Sequence, residues 1–189
     1  MKDLHEIVEG CINNDSKCQK ALYEGYYGYA LKVVFRYIYR YDKATDVTND
    51  GFVKVFKNLQ QYKFEGELGG WIRKIMVNTA INYLKKHSRY QTELLFTDDQ
   101  LHAVGEDHPE VRMSAKELSE LIRQLPTGYQ TIFNLHAVEG YTHVEIGGIL
   151  GIHEGTSRSQ YARARALLIT WIENKNSDSK TERYARTKF

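Results

Sequence analysis

The chain has 189 residues, 42% hydrophobic and 26% charged, with a formal net charge of +2. That length allows one domain or two small ones, and the composition suits a globular protein rather than a disordered one. Its apolar runs fall far short of the ~20 residues that span a bilayer, and the start, MKDLHEIVEG, lacks the apolar core of a secretory signal.

Only Pro109 and Pro126 interrupt a sequence rich in Leu, Ala, Lys, Glu and Tyr, which favours helices over sheets. Leu4, Ile7, Val8, Cys11 and Ile12 recur at helical spacing and predict a short first helix, closed by Asn13-Asn14-Asp15. Cys11 and Cys18 read as buried free thiols rather than a ligand pair. A second helix is predicted from about Lys17 to Tyr41 on Leu22, Tyr26, Tyr29, Val33, Tyr37 and Ile38. A third spans Ala44 to Leu59, with Val47, Phe52, Val55, Phe56 and Leu59 as its buried stripe. After the aromatic, glycine-bearing loop Gln60 to Gly70, a fourth helix from Trp71 to about His87 buries Trp71, Ile72, Ile75, Met76, Ala80 and Leu84. These four make a first domain, residues 1–92.

Residues 93–114 hold turn residues and acids without a sustained period, and read as a flexible acidic linker. Helices resume from about Ala115 to Gln124 and from Thr127 to Val138, broken at Pro126. With the hairpin below they form a second helical domain, residues 115–173, followed by a polar tail, 174–189, expected to fray. The expected fold is all-α: two small helical domains on a linker.

Tyr141 to Leu168 carries the strongest signal. Thr142 and Glu145 form a capping box, Val144, Ile146, Ile149 and Leu150 give an apolar stripe, and Gly151 fits a left-handed helix end. A second helix restarts near His153 to Thr156 and runs to about Trp171, with Arg158, Arg163 and Arg165 its only ionised side chains between Gly155 and Ile172. Two helices on so tight a turn are the helix-turn-helix arrangement, whose second helix enters the major groove. An ordinary αα-hairpin could show the same caps, but a solvated structural helix usually mixes both charges.

The fourth helix presents Lys74, Asn78, Asn82, Lys85 and Lys86 opposite its apolar stripe, with Arg89 beyond. Lysines neutralise phosphates and asparagine amides pair with base edges, so the face suits DNA; a merely solvated face is the competing reading. Tyr62 and Phe64 beside it suit unstacked bases, whereas Trp71 fits a core anchor. Asp42, Asp46 and Asp50 form a carboxylate column that could hold a divalent cation, as in a metal-dependent nuclease, or face a basic protein partner. No nucleophile or base joins that column, and the seven histidines show no metal spacing, with His136 and His143 reading as packing or surface residues. Neither catalytic chemistry nor a metal or other cofactor is expected.

The segments Asp46 to Tyr62, Gly69 to Arg89 and Leu121 to Leu168, in this order, resemble the core-binding helix, the minus-ten helix and the minus-thirty-five domain of a bacterial RNA polymerase sigma factor of the extracytoplasmic-function group. The resemblance covers about Leu22 to Ile172. It implies a cytoplasmic initiation factor that binds core RNA polymerase through the β′ clamp helices and the β flap, contacts single- and double-stranded promoter DNA, and answers in many members to an anti-sigma factor. Asp46, Asn49, Asp50, Phe52, Val53 and Phe56 would then dock on the polymerase. Tyr62, Lys63, Phe64, Lys74, Asn78, Asn82, Lys85, Lys86 and Arg89 would hold the melted minus-ten region. Thr142, His153, Glu154, Thr156, Arg158, Ser159, Tyr161, Arg163 and Arg165 would meet the minus-thirty-five duplex. Ser157 departs from the family's buried Val or Ile, His153 from its usual Ser cap, and Gly69-Gly70 from bulkier residues before the tryptophan. The alternative function is a stand-alone helix-turn-helix activator or repressor.

Overall fold

The computed structural model describes residues 3–86 and 114–186, with side chains through residue 175. It divides into two units, Met1–Ser88 and Arg89–Phe189. Every regular element among the described residues is helical, and none of these helices is long and apolar enough to cross a membrane.

In the first unit α1 (Leu4–Ile12) opens on a capping box between Asp3 and Glu6. The helix α2 (Ser16–Val34) starts on Asp15, whose carboxylate accepts the Lys17 amide at 2.8 Å. Cys11 and Cys18 are buried thiols, not joined in a disulfide, and burial, aided by Cys18 and Asp15, pushes the Cys11 thiol up to about 11.

The predicted second helix ends early. The chain leaves α2 at Val34 and turns through residues 35–40 before α3 (Tyr41–Asn58). Tyr37 and Ile38 prolong the apolar repeat past that end because the turn folds them inward, to 3% and 6% exposure. A 3-10 turn, Leu59–Gln61, follows, and α4 (Leu68–Lys86) begins ahead of the predicted Trp71 because Leu68 is itself fully buried. The helices α2, α3 and α4 pack on one another around Phe52, Leu59, Leu68, Ile72, Met76 and Ile81. Each such side chain contributes about 1.5–3 kcal/mol, several times an exposed helical ion pair at about 0.2–0.5 kcal/mol. The apolar stripes therefore set this arrangement, and the polar face of α4 is left over for other work.

In the second unit α5 (Ala115–Gln124) starts on a Ser114–Glu117 capping box. After Pro126, α6 (Thr127–Phe133) runs into a π-helical turn, Asn134–Val138. The hairpin helices are α7 (His143–Leu150) and α8 (Glu154–Arg186). Here the prediction of a helix end near Trp171 is corrected, since α8 continues through residue 186. Trp171 and Ile172 pack on Leu121, Leu125, Tyr129, Ala164 and Leu168, and Lys175 Nζ reaches Glu117 Oε1 at 4.0 Å. The polar composition after residue 173 contains no Gly or Pro to stop a helix already anchored there. The predicted linker lies outside the described residues up to Ser114.

Candidate nucleic-acid interface

Burial of Ile72, Met76, Ala80 and Ile81 fixes the rotation of α4, and the opposite face then presents Lys74, Asn78, Asn82 and Lys86 to solvent with Lys85 half-buried. The face is what the spacing of three and four predicts. Arg89 lies outside the described residues.

The loop before α4 is built on rings packed at a tilt. Tyr62 is only 8% exposed; its hydroxyl donates to Gly66 O at 2.6 Å, and its ring lies 5.8 Å from Trp71 and 5.0 Å from Phe64. It therefore supports the loop from within. Phe64 and Lys63 are the exposed members of the predicted trio. Phe64 has a left-handed backbone, φ 57°, uncommon for a side chain of that size. His5 of α1 stacks on it at 4.4 Å between centroids, a contact that no periodicity in the sequence signals.

In the hairpin, Thr142 caps α7, its hydroxyl taking the Glu145 amide at 3.3 Å and donating to the Glu145 carboxylate at 2.8 Å. The Thr142 backbone N–H, which also donates to that carboxylate at 2.8 Å, and then the hydroxyl hold the Glu145 carboxyl below the usual range. Gly151 closes the helix at φ 74°, ψ 35°, a conformation that glycine adopts without a Cβ clash. His153 caps the start of α8, its Nδ1 accepting the Gly155 amide at 3.1 Å.

Along α8, Arg158, Ser159 and Arg165 are exposed, while Glu154, Thr156, Tyr161 and Arg163 are half-buried. Arg158 is paired with Glu154, its Nε at 2.9 Å from Oε1. Tyr161 turns inward, packing on Phe133 at 5.9 Å and edge-on to His136 at 4.6 Å. Ser157 is fully buried and bonds His143 Nδ1 at 2.9 Å. The hairpin thus gathers an exposed strip of Arg158, Ser159 and Arg165 over a polar seam.

Residues 22–90 match the Sigma-70 region 2 family and residues 115–168 match Sigma-70 region 4. The ECF RNA polymerase sigma-E factor of Haemophilus influenzae is 31% identical over 89% of this chain and 93% of its own length. The ECF RNA polymerase sigma factor SigE of Mycolicibacterium smegmatis is 28% identical over 77% of this chain and 60% of its own. The chain belongs to the ECF RNA polymerase sigma factors. Among solved structures, the sigma factor RpoE in complex with the anti-sigma factor NepR from Bartonella quintana aligns at 18% identity, over 79% of this chain and 92% of that one, with a TM-score of 0.46.

As a sigma factor the protein directs RNA polymerase to promoters; it is not a stand-alone regulator. Its region 2 match opens at Leu22, within α2, so α1 precedes it, and its region 4 match ends at Leu168, so residues 169–186 of α8 run past it. On α3 of this sigma factor, Asp46, Asn49, Asp50 and Val53 are exposed, Phe56 is half-buried and Phe52 is buried at 2%. Phe52 packs under Tyr23 at 4.7 Å, and the Tyr23 hydroxyl donates to Asn49 Oδ1 at 2.9 Å. Phe52 therefore shapes the α3 surface from beneath. The carboxylate column is partly neutralised: Arg40 pairs with Asp42 at 2.8 Å and Lys43 with Asp46 at 3.4 Å. The Arg40 hydrogen bond holds the Asp42 carboxyl below its usual range. Among the described residues no group of three or more His, Cys, Asp or Glu side chains could hold a metal ion.

Proposed function

We propose that this sigma factor reads a promoter with two separate helices while a third surface holds core RNA polymerase. The face of α4 with Lys74, Asn78, Asn82, Lys85 and Lys86, extended by Arg89, takes the minus-ten region as it melts. Lys63 and Phe64 of the preceding loop take an extruded base, with Tyr62 beneath them. The minus-thirty-five duplex meets Arg158, Ser159, Thr156 and Arg165, with Arg163 at the edge; Thr142, His153 and Glu154 set the helix ends, and Tyr161 braces them. Asp46, Asn49, Asp50 and Val53 face the polymerase over Phe52 and Phe56.

The observation that carries this reading is the exposed lysine–asparagine face of α4, opposite a mostly apolar buried face, inside the region 2 match. Residues 1–92 and 115–173 act as two domains tethered by residues 93–114. Either DNA surface alone makes few contacts, and joining both to one polymerase converts two weak sites into a strong one through effective concentration. Melting proceeds by trapping unstacked bases, each costing a few kcal/mol. The protein performs no catalysis itself, needs no cofactor, works in the bacterial cytoplasm and answers to an anti-sigma factor.

Gel filtration with purified core polymerase, followed by run-off transcription from a promoter selected by the reconstituted holoenzyme, tests the proposal. Co-elution and polymerase-dependent transcripts are expected. A free homodimer that binds its DNA equally well without polymerase overturns it.

A further inference from the structure

The free surface of the loop before α4 is not open. His5 of α1 lies on Phe64 with the rings at 4.4 Å and only 17° from parallel, while Tyr62 leans on Phe64 at 5.0 Å and 52°. Phe64 is 41% exposed, yet the ring face that a base would stack on is already in use.

The charges around His5 are the wrong sign for DNA. Asp3, Glu6 and Glu9 surround it in sequence, no lysine or arginine occurs between Asp3 and Ser16, and Glu9 Oε1 lies 3.6 Å from His5 Nδ1. Such a helix repels phosphates, so it does not extend the basic groove of α4. It offers instead a planar ring flanked by carboxylates, the chemical outline of a nucleotide. The anchors of α1 are elsewhere: Val8 and Cys11 are buried, at 0% and 4% exposure, whereas His5 is exposed. The ring can leave Phe64 without undocking the helix.

We propose that α1 is a displaceable cap on the base-capturing loop, with His5 holding the place of the extruded promoter base until that base expels it. Promoter DNA that is still duplex offers no free base and leaves the cap in place; a melted strand competes with it. This rests on the reading of Phe64 as a base-stacking residue.

The test uses the full chain assembled with core polymerase and a fork-junction DNA whose single-stranded minus-ten sequence has been selected by the same holoenzyme. Loss of one aromatic stacking contact predicts that His5→Ala binds this DNA about two- to tenfold more tightly. His5→Phe, which strengthens the stack, binds it more weakly. Polymerase affinity and helix content by circular dichroism stay as in the parent. Unchanged or weaker binding by His5→Ala, or tighter binding by His5→Phe, overturns the cap. Phe64→Ala weakens binding and abolishes the gain from His5→Ala. If Phe64→Ala weakens binding while His5→Ala changes nothing, only the cap fails; if Phe64→Ala binds like the parent, the loop reading fails and the cap with it.

Discussion

His143 Nδ1 lies 2.9 Å from Ser157 Oγ, joining the first helix of the hairpin to the second through a hydroxyl that solvent does not reach. The His136 ring stacks on His143 at 4.2 Å, and its own Nδ1 donates to Tyr141 O at 2.7 Å, since a carbonyl can only accept. The two helices of the hairpin are therefore joined through a polar seam. Ser157→Ala removes one hydrogen bond and is expected to destabilise the chain by about 1 kcal/mol. For a unit of this size that is a melting-temperature drop of about 4–8 °C. An unchanged melt by calorimetry would mean that the bond contributes nothing net.

The same seam makes the hairpin acid-sensitive. Burial first, then the charges of His136 and Arg158, hold the His143 imidazole below its ordinary 6.5, with Glu154 opposing. The unfolded chain thus binds that proton more readily than the folded one. Stability is unaffected well above 6.5 and declines as the pH falls through 6.5 towards the folded value. Melts at about pH 8 and about pH 5.5 should diverge more for the parent chain than for His143→Gln. Equal divergence in both would place the acid sensitivity elsewhere.

Gly147 and Gly148 are adjacent in α7 but not equivalent. A Cβ on Gly147 would sit 2.8 Å from Ile152 O, a backbone atom of the turn, whereas one on Gly148 meets nothing within 4 Å. Gly147→Ala must move the turn and is expected to destabilise by about 1–3 kcal/mol, misplacing α8 and weakening minus-thirty-five binding. Gly148→Ala is expected to be neutral or to stabilise by about 0.5–1 kcal/mol through helix propensity. Equal melting temperatures for the two variants would contradict the close approach.

Which parts of this structure were legible in the chain follows from the kind of signal each leaves. Helical periodicity located α1, α3, α4 and the hairpin, because one face of each is buried and the other is not. It failed at Tyr37 and Ile38, where a turn buries residues in phase with the helix before it, and at the end of α8, where Trp171, Ile172 and Lys175 anchor a segment that looks polar alone. The basic face of α4 was visible because solvent-facing residues of one helix are set by spacing. Tyr62 and Tyr161 were assigned outward by side-chain type, yet ring packing from other elements turns them inward, whereas Phe52 is buried as its place in the α3 stripe predicts. His5 on Phe64 pairs residues far apart in the chain, and one sequence carries no trace of such a contact.

The α4 face yields a prediction that separates a DNA contact from a solvated surface. Each phosphate neutralised on a single strand contributes about 0.7 to the slope of log affinity against log salt. Lys74→Ala and Lys85→Ala in the holoenzyme should each flatten that slope by about this amount on the fork-junction DNA. Lys20→Ala on α2, whose ammonium pairs with Glu24 at 3.8 Å, should leave it unchanged. Lys85→Ala combined with Arg89→Ala should remove permanganate-reactive thymines from the promoter while gel filtration still shows the polymerase complex. Slopes that match the Lys20→Ala control, or footprints that persist in the double variant, would mean that this face is solvated rather than bound.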